Sequence, residues 1–231
     1  MNARRPLRSA WPARCLLSLW VASLLVACGG CAEHRDPHHR TPAQVFTGSD
    51  WLERESREAE ERPEELLEIL GLKPGDRVAD VGCGTGYFAR RMAARVLPGG
   101  VIYAEDIQPR MLERVRTRAA EEGIGNIRTI LGTETDPKLP PGGIDLILLV
   151  DVYHEFQKPK EMLAHLKKAL APGGRVALVE YRAEGETARH IHRDHRMSVE
   201  QVLAEWVPAG FELIERVESL PTQHLFLFRA R

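Results

Sequence analysis

A short apolar run leads into seven residues, Asp80-Val81-Gly82-Cys83-Gly84-Thr85-Gly86, and a helical pattern follows them directly. Glycines at alternate positions let the backbone pass close to a ligand, because glycine has no side chain and adopts positive φ readily. The amides at the N-terminus of the following helix then face that ligand. The stretch therefore predicts a ligand-binding loop between a strand and a helix.

Helical patterns alternate with apolar runs on both sides of this loop. Strands are predicted at residues 77–81, 101–106, 127–131, 145–150 and 175–180, and helices at 63–70, 87–96, 109–122 and 159–170. Such alternation is typical of an α/β fold with a parallel sheet and helices on both faces. Ser198 and Gln201 have the spacing of a capping box, and apolar runs at 212–217 and 224–229 predict a closing hairpin around Pro221.

An acidic residue, Asp106, ends the second predicted strand about 20 residues beyond the loop, where a carboxylate can accept hydrogen bonds from both hydroxyls of a ribose. Strand alternation predicts that Glu105 points the other way. An ordinary cap of the next helix is the alternative role for Asp106. The glycines stand at 82, 84 and 86, whereas the dinucleotide fingerprint requires small residues at 82, 84 and 87, so a nicotinamide oxidoreductase is disfavoured.

Together these features resemble the class I S-adenosylmethionine-dependent methyltransferase family, whose DxGxGxG signature is similar to residues 80–86 and whose second motif is similar to residues 105–112. The resemblance implies a Rossmann-like, seven-stranded, mostly parallel sheet with an antiparallel last strand. It also implies S-adenosylmethionine as the cofactor. Gly132-Thr133-Glu134 is similar to the adenine-side motif, with Thr133 where Asp is frequent. The implied cofactor-binding residues are Asp80, Gly82, Gly84, Gly86, Asp106, Ile107, Thr133, Glu134 and Asp151.

Candidates for catalysis follow the fourth strand, where the family exposes residues to the methionine end and the substrate. Methyl transfer depends mainly on positioning and desolvation, and a base helps only when the acceptor is protonated. His154 is the first candidate for that base, because histidine titrates near neutral pH and lies here beyond the carboxyl end of a central strand. Tyr153 and Glu155 could orient it or the substrate. The alternative is a structural His154 that is hydrogen-bonded to the next helix.

A polar stretch after the fifth strand contains His190, His192, Asp194 and His195. A substrate lid and a metal cluster are both consistent with these residue types. His190 and His192 would not share a helix face, and neighbouring arginines would oppose a bound cation. The sequence therefore favours a mobile polar substrate loop, and it predicts no metal site.

Composition limits the choice of substrate. The formal net charge is −1 and the pI is about 6.8, so no basic surface is expected for DNA or RNA, and nucleic acid is not predicted as a partner. Asn-Pro-Pro-Tyr, frequent after strand four in amine-directed methyltransferases, is missing from this sequence. The resemblance implies a small-molecule acceptor, and nothing in the sequence predicts an oligomeric state. A non-catalytic protein that binds adenosyl compounds remains the alternative.

The N-terminus has the pattern of an export signal. Arginines precede an apolar run at 16–27 that is too short to span a membrane, and Leu25-Val26-Ala27-Cys28 resembles the lipoprotein box. We expect a signal peptide at 1–27, a polar tether at 28–49, a catalytic domain at 50–231 and a lipid anchor at Cys28 in the cell envelope. A misassigned start codon would instead leave a cytoplasmic enzyme. Cys28 and Cys31 also form CxxC, but a second ligand pair is missing for a metal site.

Overall fold

The computed structural model describes residues 41–231. The predicted signal peptide at 1–27, the proposed anchor Cys28 and the tether up to residue 40 lie outside the described residues. None of the helices in the described part is long and apolar enough to cross a membrane.

A seven-stranded sheet forms the centre of the fold. Its strands are β1 (Arg77–Val81), β2 (Val101–Asp106), β3 (Ile127–Leu131), β4 (Ile144–Val150), β5 (Leu170–Tyr181), β6 (Phe211–Val217) and β7 (Gln223–Ala230). Their order across the sheet is β3-β2-β1-β4-β5-β7-β6. The pairs among β1 to β5 are parallel, whereas β7 runs antiparallel to both β5 and β6. The predicted fold class, including the antiparallel last strand, is confirmed.

Within residues 41–231, six α-helices accompany the sheet: α1 (Arg57–Glu61), α2 (Pro63–Leu70), α3 (Tyr87–Ala93), α4 (Pro109–Glu121), α5 (Pro159–Ala169) and α6 (Val199–Trp206). Local sequence explains their ends. A proline occupies the first turn of α2, α4 and α5, where a missing amide costs nothing. Ser198 and Gln201 form the predicted capping box at the start of α6.

Two apolar clusters cover the two faces of the sheet. One contains side chains of α2, α3 and α4, and the other contains side chains of α5 and α6. The inner strands are buried on both faces, as β4 shows with Leu146, Ile147, Leu148 and Leu149 all at most 2% exposed. Their continuous apolar sequences follow from that burial. The sheet is therefore rigidly held, and its carboxyl edge is a firm base for loops that bind ligands.

Candidate functional site

A cavity of about 390 Å³ opens at the carboxyl ends of β1, β2 and β4. The strand order reverses between β1 and β4, because the chain runs outward from β1 through β2 to β3 and then returns to β4 on the other side. Open α/β sheets bind ligands at this switch point. We call the part of the cavity near residues 80–86 the glycine end, and the part near His154 and His195 the histidine end.

The glycine loop has the positive φ values that its sequence predicts. Gly82 and Gly84 have φ values of 67° and 53°, where residues with side chains are disfavoured. A Cβ atom at Gly82 would lie 2.3 Å from Val152 Cγ2, and one at Gly84 would lie 2.7 Å from Leu52 Cδ1. Glycine is therefore required here both by the backbone and by the side chains that close over the loop.

Asp106 fastens the tip of β2 to this loop. Its Oδ2 atom accepts from the Gly84 amide at 2.9 Å, and its Oδ1 atom accepts from the Gln108 amide at 2.8 Å. Burial raises the pKa of Asp106, although these amides oppose the rise. The side chain is only 5% exposed and lines the cavity. Asp106 thus both organises the glycine end and presents a carboxylate to it.

Glu105 also lies at the glycine end, which strand alternation did not predict. Its Oε2 atom accepts from the Gly82 amide at 3.3 Å, and the residue lines the cavity. The side chain reaches the loop because β1 is the direct neighbour of β2 and ends at the same level. Burial, followed by the charge of Asp106, raises the pKa of Glu105.

Three carboxylate oxygens at the cavity have no hydrogen-bond partner among the described residues: Asp80 Oδ2, Glu105 Oε1 and Asp151 Oδ1. Buried oxygens of this kind are costly unless a ligand or water supplies a donor. Burial raises the pKa of Asp80 to about 7 and also raises the pKa of Asp151. The cavity is therefore prepared for hydrogen-bond donors and positive charge.

The remaining predicted cofactor contacts are less enclosed. Ile107 is half-buried, whereas Thr133 and Glu134 are exposed, and all three line the cavity. The Thr133 hydroxyl accepts from the Asp136 amide at 3.0 Å, so it caps a turn after β3. Asp151 has a φ of 51°, and its Oδ2 atom accepts from Gln223 Nε2 at 2.7 Å.

At the histidine end, Glu180 fixes the orientation of His154. Glu180 Oε2 lies 2.6 Å from His154 Nδ1, and Oε1 accepts from the His154 amide at 3.2 Å. An ionised carboxylate only accepts, so this contact assigns the ring proton to Nδ1 and leaves a lone pair on Nε2. Nε2 lies 2.9 Å from His195 Nδ1. Burial, and then the neighbouring His154 ring, lowers the pKa of His195.

The other two catalytic candidates, Glu155 and Tyr153, lie in different places: only Glu155 lines the cavity. Glu155 lines the cavity, and burial raises its pKa to about 7. Tyr153 lies instead in the core beside α6, where its ring packs on Trp206 with a centroid distance of 5.2 Å. Its hydroxyl donates to Glu205 at 2.6 Å. A 3-10 turn after β4 explains this, because it directs Tyr153 into the core and His154 toward the cavity.

The comparisons with known proteins agree with this geometry. A methyltransferase-domain family model matches residues 72–220. The chain belongs to the methyltransferase-domain family. Its membership confirms the predicted family, and the match to a SAM-dependent methyltransferase fold implies S-adenosylmethionine as the cofactor. The match begins just before β1 and ends just before β7, so it includes the glycine loop and both ends of the cavity.

Several relatives of this methyltransferase domain are named after small molecules. The chain is 34% identical over 113 residues to nocamycin O-methyltransferase from Saccharothrix syringae, and the match covers 49% of this chain and 40% of that one. It is 28% identical to ubiquinone/menaquinone biosynthesis C-methyltransferase UbiE from Ectopseudomonas mendocina, covering 52% and 47%. It is 29% identical to aklanonic acid methyltransferase DauC from Streptomyces, covering 67% and 71%. The chain thus spans less than half the length of the first two relatives.

Solved structures show the same architecture. A SAM-dependent methyltransferase from Aquifex aeolicus superposes with a TM-score of 0.72 and 25% identity, covering 78% of this chain and 95% of that chain. A phosphoethanolamine N-methyltransferase from Haemonchus contortus, in complex with S-adenosylhomocysteine, superposes with a TM-score of 0.56 and 20% identity. That second match covers 68% of this chain and 38% of the other, and it concerns the fold alone.

The glycine end fits S-adenosylmethionine on its own geometry. The donor has ribose hydroxyls, an ammonium group and a sulfonium, and each of these suits a buried carboxylate. The oxygens without partners on Asp80, Glu105 and Asp151 supply such acceptors, while the glycine loop keeps side chains away from the ligand. The cavity volume of about 390 Å³ is within the range of small-molecule sites.

A segment that the sequence did not assign to the site covers the cavity, and we call it the strap, residues 41–62. Its Phe46 amide donates to Glu155 Oε1 at 3.0 Å, and its Ala43 amide donates to the His154 carbonyl at 3.1 Å. Strap residues that line the cavity are Val45, Phe46, Trp51, Leu52, Arg54, Arg57 and Glu61. The sequence predicted a tether up to residue 49, but the structure packs Ala43 against the loop after β4.

A buried ion pair stabilises the strap internally, and a hydrogen bond from β5 anchors it to the sheet. Arg57 Nε lies 2.7 Å from Glu61 Oε2, and these side chains are 6% and 1% exposed. The Tyr181 hydroxyl at the end of β5 donates to Glu61 Oε1 at 3.0 Å. Sequence reasoning missed these residues because a run of Arg and Glu normally indicates a solvated helix. The one signal in the sequence that could have found these residues is that the run of Arg and Glu lies directly before the first predicted helix.

Proposed function

We propose that this chain transfers a methyl group from S-adenosylmethionine to a small molecule, with His154 as the general base. The observation that supports this proposal is that one cavity contains both acceptors for the donor and a candidate base. Unpartnered carboxylate oxygens lie at the glycine end, and an imidazole with its lone pair fixed by Glu180 lies at the histidine end. The names of the relatives, which include O- and C-methyltransferases, support an oxygen or carbon acceptor.

S-adenosylmethionine supplies an electrophilic methyl group on sulfur. In the proposed mechanism the carboxylates at the glycine end hold the ribose and the ammonium group, and the strap excludes water. His154 Nε2 accepts the proton of the acceptor once the His195 ring, whose Nδ1 atom lies 2.9 Å away, turns aside. Glu180 then stabilises the resulting imidazolium, because its carboxylate lies 2.6 Å from Nδ1. Apolar strap residues such as Val45 and Phe46 line the cavity and favour an acceptor with an apolar body.

Calorimetry with S-adenosylmethionine and S-adenosylhomocysteine, followed by labelled-methyl transfer to candidate quinols and phenols, tests this proposal. We expect the parent to bind both adenosyl compounds and to transfer the label. His154→Ala should bind the donor within about threefold of the parent and transfer at least about 100-fold more slowly, the usual range for loss of a general base. His165→Ala is the matched control, because His165 lies on α5 outside the cavity lining.

The outcomes separate the two candidate functions. A parent that binds neither compound contradicts the proposal. A parent that binds both but methylates no acceptor favours a non-catalytic binder of adenosyl compounds, which the export pattern of the N-terminus also supports. His154→Ala with the parent's rate would remove the general-base role and leave donor binding in place.

We also propose that the enzyme works in the cell envelope on a lipid anchor at Cys28. The basic leader, the apolar run at 16–27 and the Leu25-Val26-Ala27-Cys28 box support this location. Incorporation of labelled palmitate, with membrane fractionation, should mark the parent and not Cys28→Ala. Cys31→Ala is the matched control and should be labelled like the parent. A soluble, unlabelled protein that retains residues 1–27 would refute both export and anchoring.

A further inference from the structure

Three side chains with metal-binding atoms meet at the histidine end. His154 and Glu155 follow β4, and His195 belongs to the loop after β5. One ligand atom from each lies within 4.8 Å of the other two. His154 Nε2 and His195 Nδ1 are 2.9 Å apart, whereas two tetrahedral ligands at about 2.1 Å from one ion lie roughly 3.4 Å apart, so a shift of about half an ångström would place both nitrogens on an ion. A small movement of the Glu155 side chain would likewise bring its carboxylate to about 2.1 Å from the ion.

The surroundings of His154 match those of a metal ligand. A histidine that binds a metal usually donates its other ring N–H to a carboxylate, which fixes the ring and makes the ligand nitrogen more basic. Glu180 occupies that position, with 0% of its side chain exposed and Oε2 at 2.6 Å from His154 Nδ1. The His154 amide holds the other oxygen of the same carboxylate at 3.2 Å. His154 Nε2 is therefore directed at the cluster before any ion binds.

The cluster is open on the side of the cavity. All three residues line it, so an ion here would keep coordination positions for an exogenous ligand, as catalytic metal sites do. Glu155 Oε1 accepts from the Phe46 amide, which leaves its second oxygen for an ion. Cys83, the one cysteine in the described part of the chain, is a buried member of the glycine loop and is not in the cluster. Two imidazoles and one carboxylate suit zinc and ferrous ions.

We propose that His154, Glu155 and His195 bind one divalent transition-metal ion of the zinc or ferrous class, with Glu180 as the positioning residue. The ion would hold and polarise an oxygen of the methyl acceptor, which would lower the pKa of the proton on that oxygen. With an ion bound, His154 Nε2 would be a ligand, so the ion would take over the activation of the acceptor that the proposed function assigns to His154 as a base. That role for the acceptor rests on the proposed function, whereas metal binding itself does not. The stretch at 190–196 contributes only His195, so the site differs from a cluster built within that stretch.

Cobalt binding to the full chain, stripped of metal and without an affinity tag, tests this inference. Visible absorption and calorimetry should report one equivalent of Co²⁺ that His195→Ala and Glu155→Gln do not bind. Glu180→Gln should bind it about 10- to 100-fold more weakly, the usual effect of losing such an orienting carboxylate. His165→Ala, which changes a histidine outside the cluster, should retain the parent's affinity.

The N-terminal Cys28, Cys31, His34 and neighbouring histidines could bind cobalt on their own. Cobalt bound by the cysteines would be recognised by the intense charge-transfer absorption of its thiolate ligands. The equivalent of cobalt assigned to the cluster is the one that both His195→Ala and Glu155→Gln lose. Circular dichroism confirms that each variant is folded, and Glu155→Gln provides a second test if His195→Ala is not.

Two results would overturn the inference. One is a parent that does not bind the equivalent of Co²⁺ assigned to the cluster, and the other is that His195→Ala and Glu155→Gln bind as much cobalt as the parent does. His154 and His195 would then be an ordinary hydrogen-bonded pair. Donor binding is measured separately without metal. A parent that binds S-adenosylhomocysteine but no Co²⁺ overturns only the metal site, and one that binds Co²⁺ but no adenosyl compound overturns only the proposed function.

Discussion

The glycine end of the cavity consists mainly of backbone amides and carboxylates at the tips of two adjacent strands, whereas the histidine end joins side chains from separate loops. Gly84 and Asp106 are 22 residues apart and are connected by one helix and one strand. His154 and His195 are 41 residues apart, and the strap reaches Glu155 across 109 residues. A site within one βαβ unit can be recognised as a motif, but a site assembled from distant loops cannot.

The two ends of the cavity should also respond differently to amino-acid substitutions. Positive φ values and close contacts at Gly82 and Gly84 leave the glycine end no room for side chains. The histidine end depends on hydrogen bonds between side chains, such as Glu180 with His154, that conservative variants can remove without moving the backbone. Substitutions at the glycine end should therefore affect binding, and those at the histidine end should affect transfer.

The largest effect is expected from Gly84→Val. A branched side chain disfavours the φ of 53° and meets Leu52 of the strap at 2.7 Å. Calorimetry should detect no binding of S-adenosylhomocysteine, while circular dichroism shows an intact sheet. Gly125→Val is the matched control, because a Cβ there meets no atom within 4 Å, and it should bind like the parent. A folded Gly84→Val variant with normal affinity would contradict the role of the loop.

Next, Asp80→Asn should change how stability depends on pH. Burial raises the pKa of Asp80 in the folded state to about 7, above its unfolded value, so the folded state binds a proton more tightly. The contribution of Asp80 to the free energy of unfolding therefore falls as pH rises from about 4 to about 7, by a few kcal/mol at about 1.4 kcal/mol per pKa unit. Urea titrations at several pH values should show Asp80→Asn gaining stability relative to the parent over that interval. Equal pH dependence in both proteins would contradict the assignment.

Asp106→Ala should weaken donor binding by about 1.5 to 3 kcal/mol, because it removes charged hydrogen bonds to the ribose. Calorimetry with S-adenosylhomocysteine measures this change. Asp145→Ala is a suitable control, because that aspartate pairs with Arg77 at the opposite end of the sheet. If Asp106→Ala binds as tightly as the parent, the carboxylate does not hold the ribose.

Tyr153→Phe should have the smallest effect on function and tests the separation of Tyr153 from its neighbour His154. The hydroxyl donates to Glu205 in the core beside α6, so its loss should reduce the free energy of unfolding by about 1 kcal/mol. The transfer rate should stay within about twofold of the parent. A rate loss like that expected for His154→Ala would show that Tyr153 takes part at the histidine end.

Much of the fold was predictable because its signals are local. The bounds of β1, β2, β3 and α2 agree with the prediction, since apolar runs and proline or glycine at the ends specify them directly. The predicted strand at 175–180 is shorter than β5, which begins at Leu170, because residues 170–174 extend the start of this inner strand despite Pro172 and two glycines. Pairing with β4 at Ile144 supports that extension, and local sequence does not report it.

The sequence by itself determined the α/β fold, the family and the chemistry of the glycine end, because those depend on periodicity, on glycine and on one carboxylate at a fixed distance. Tertiary structure decided that Glu105 reaches the glycine loop, that the strap covers the cavity and that Tyr153 turns into the core. It also decided that His154, Glu155 and His195 converge. The physical reason is that the carboxyl ends of parallel strands meet at one edge of the sheet, where residues far apart in the chain become neighbours.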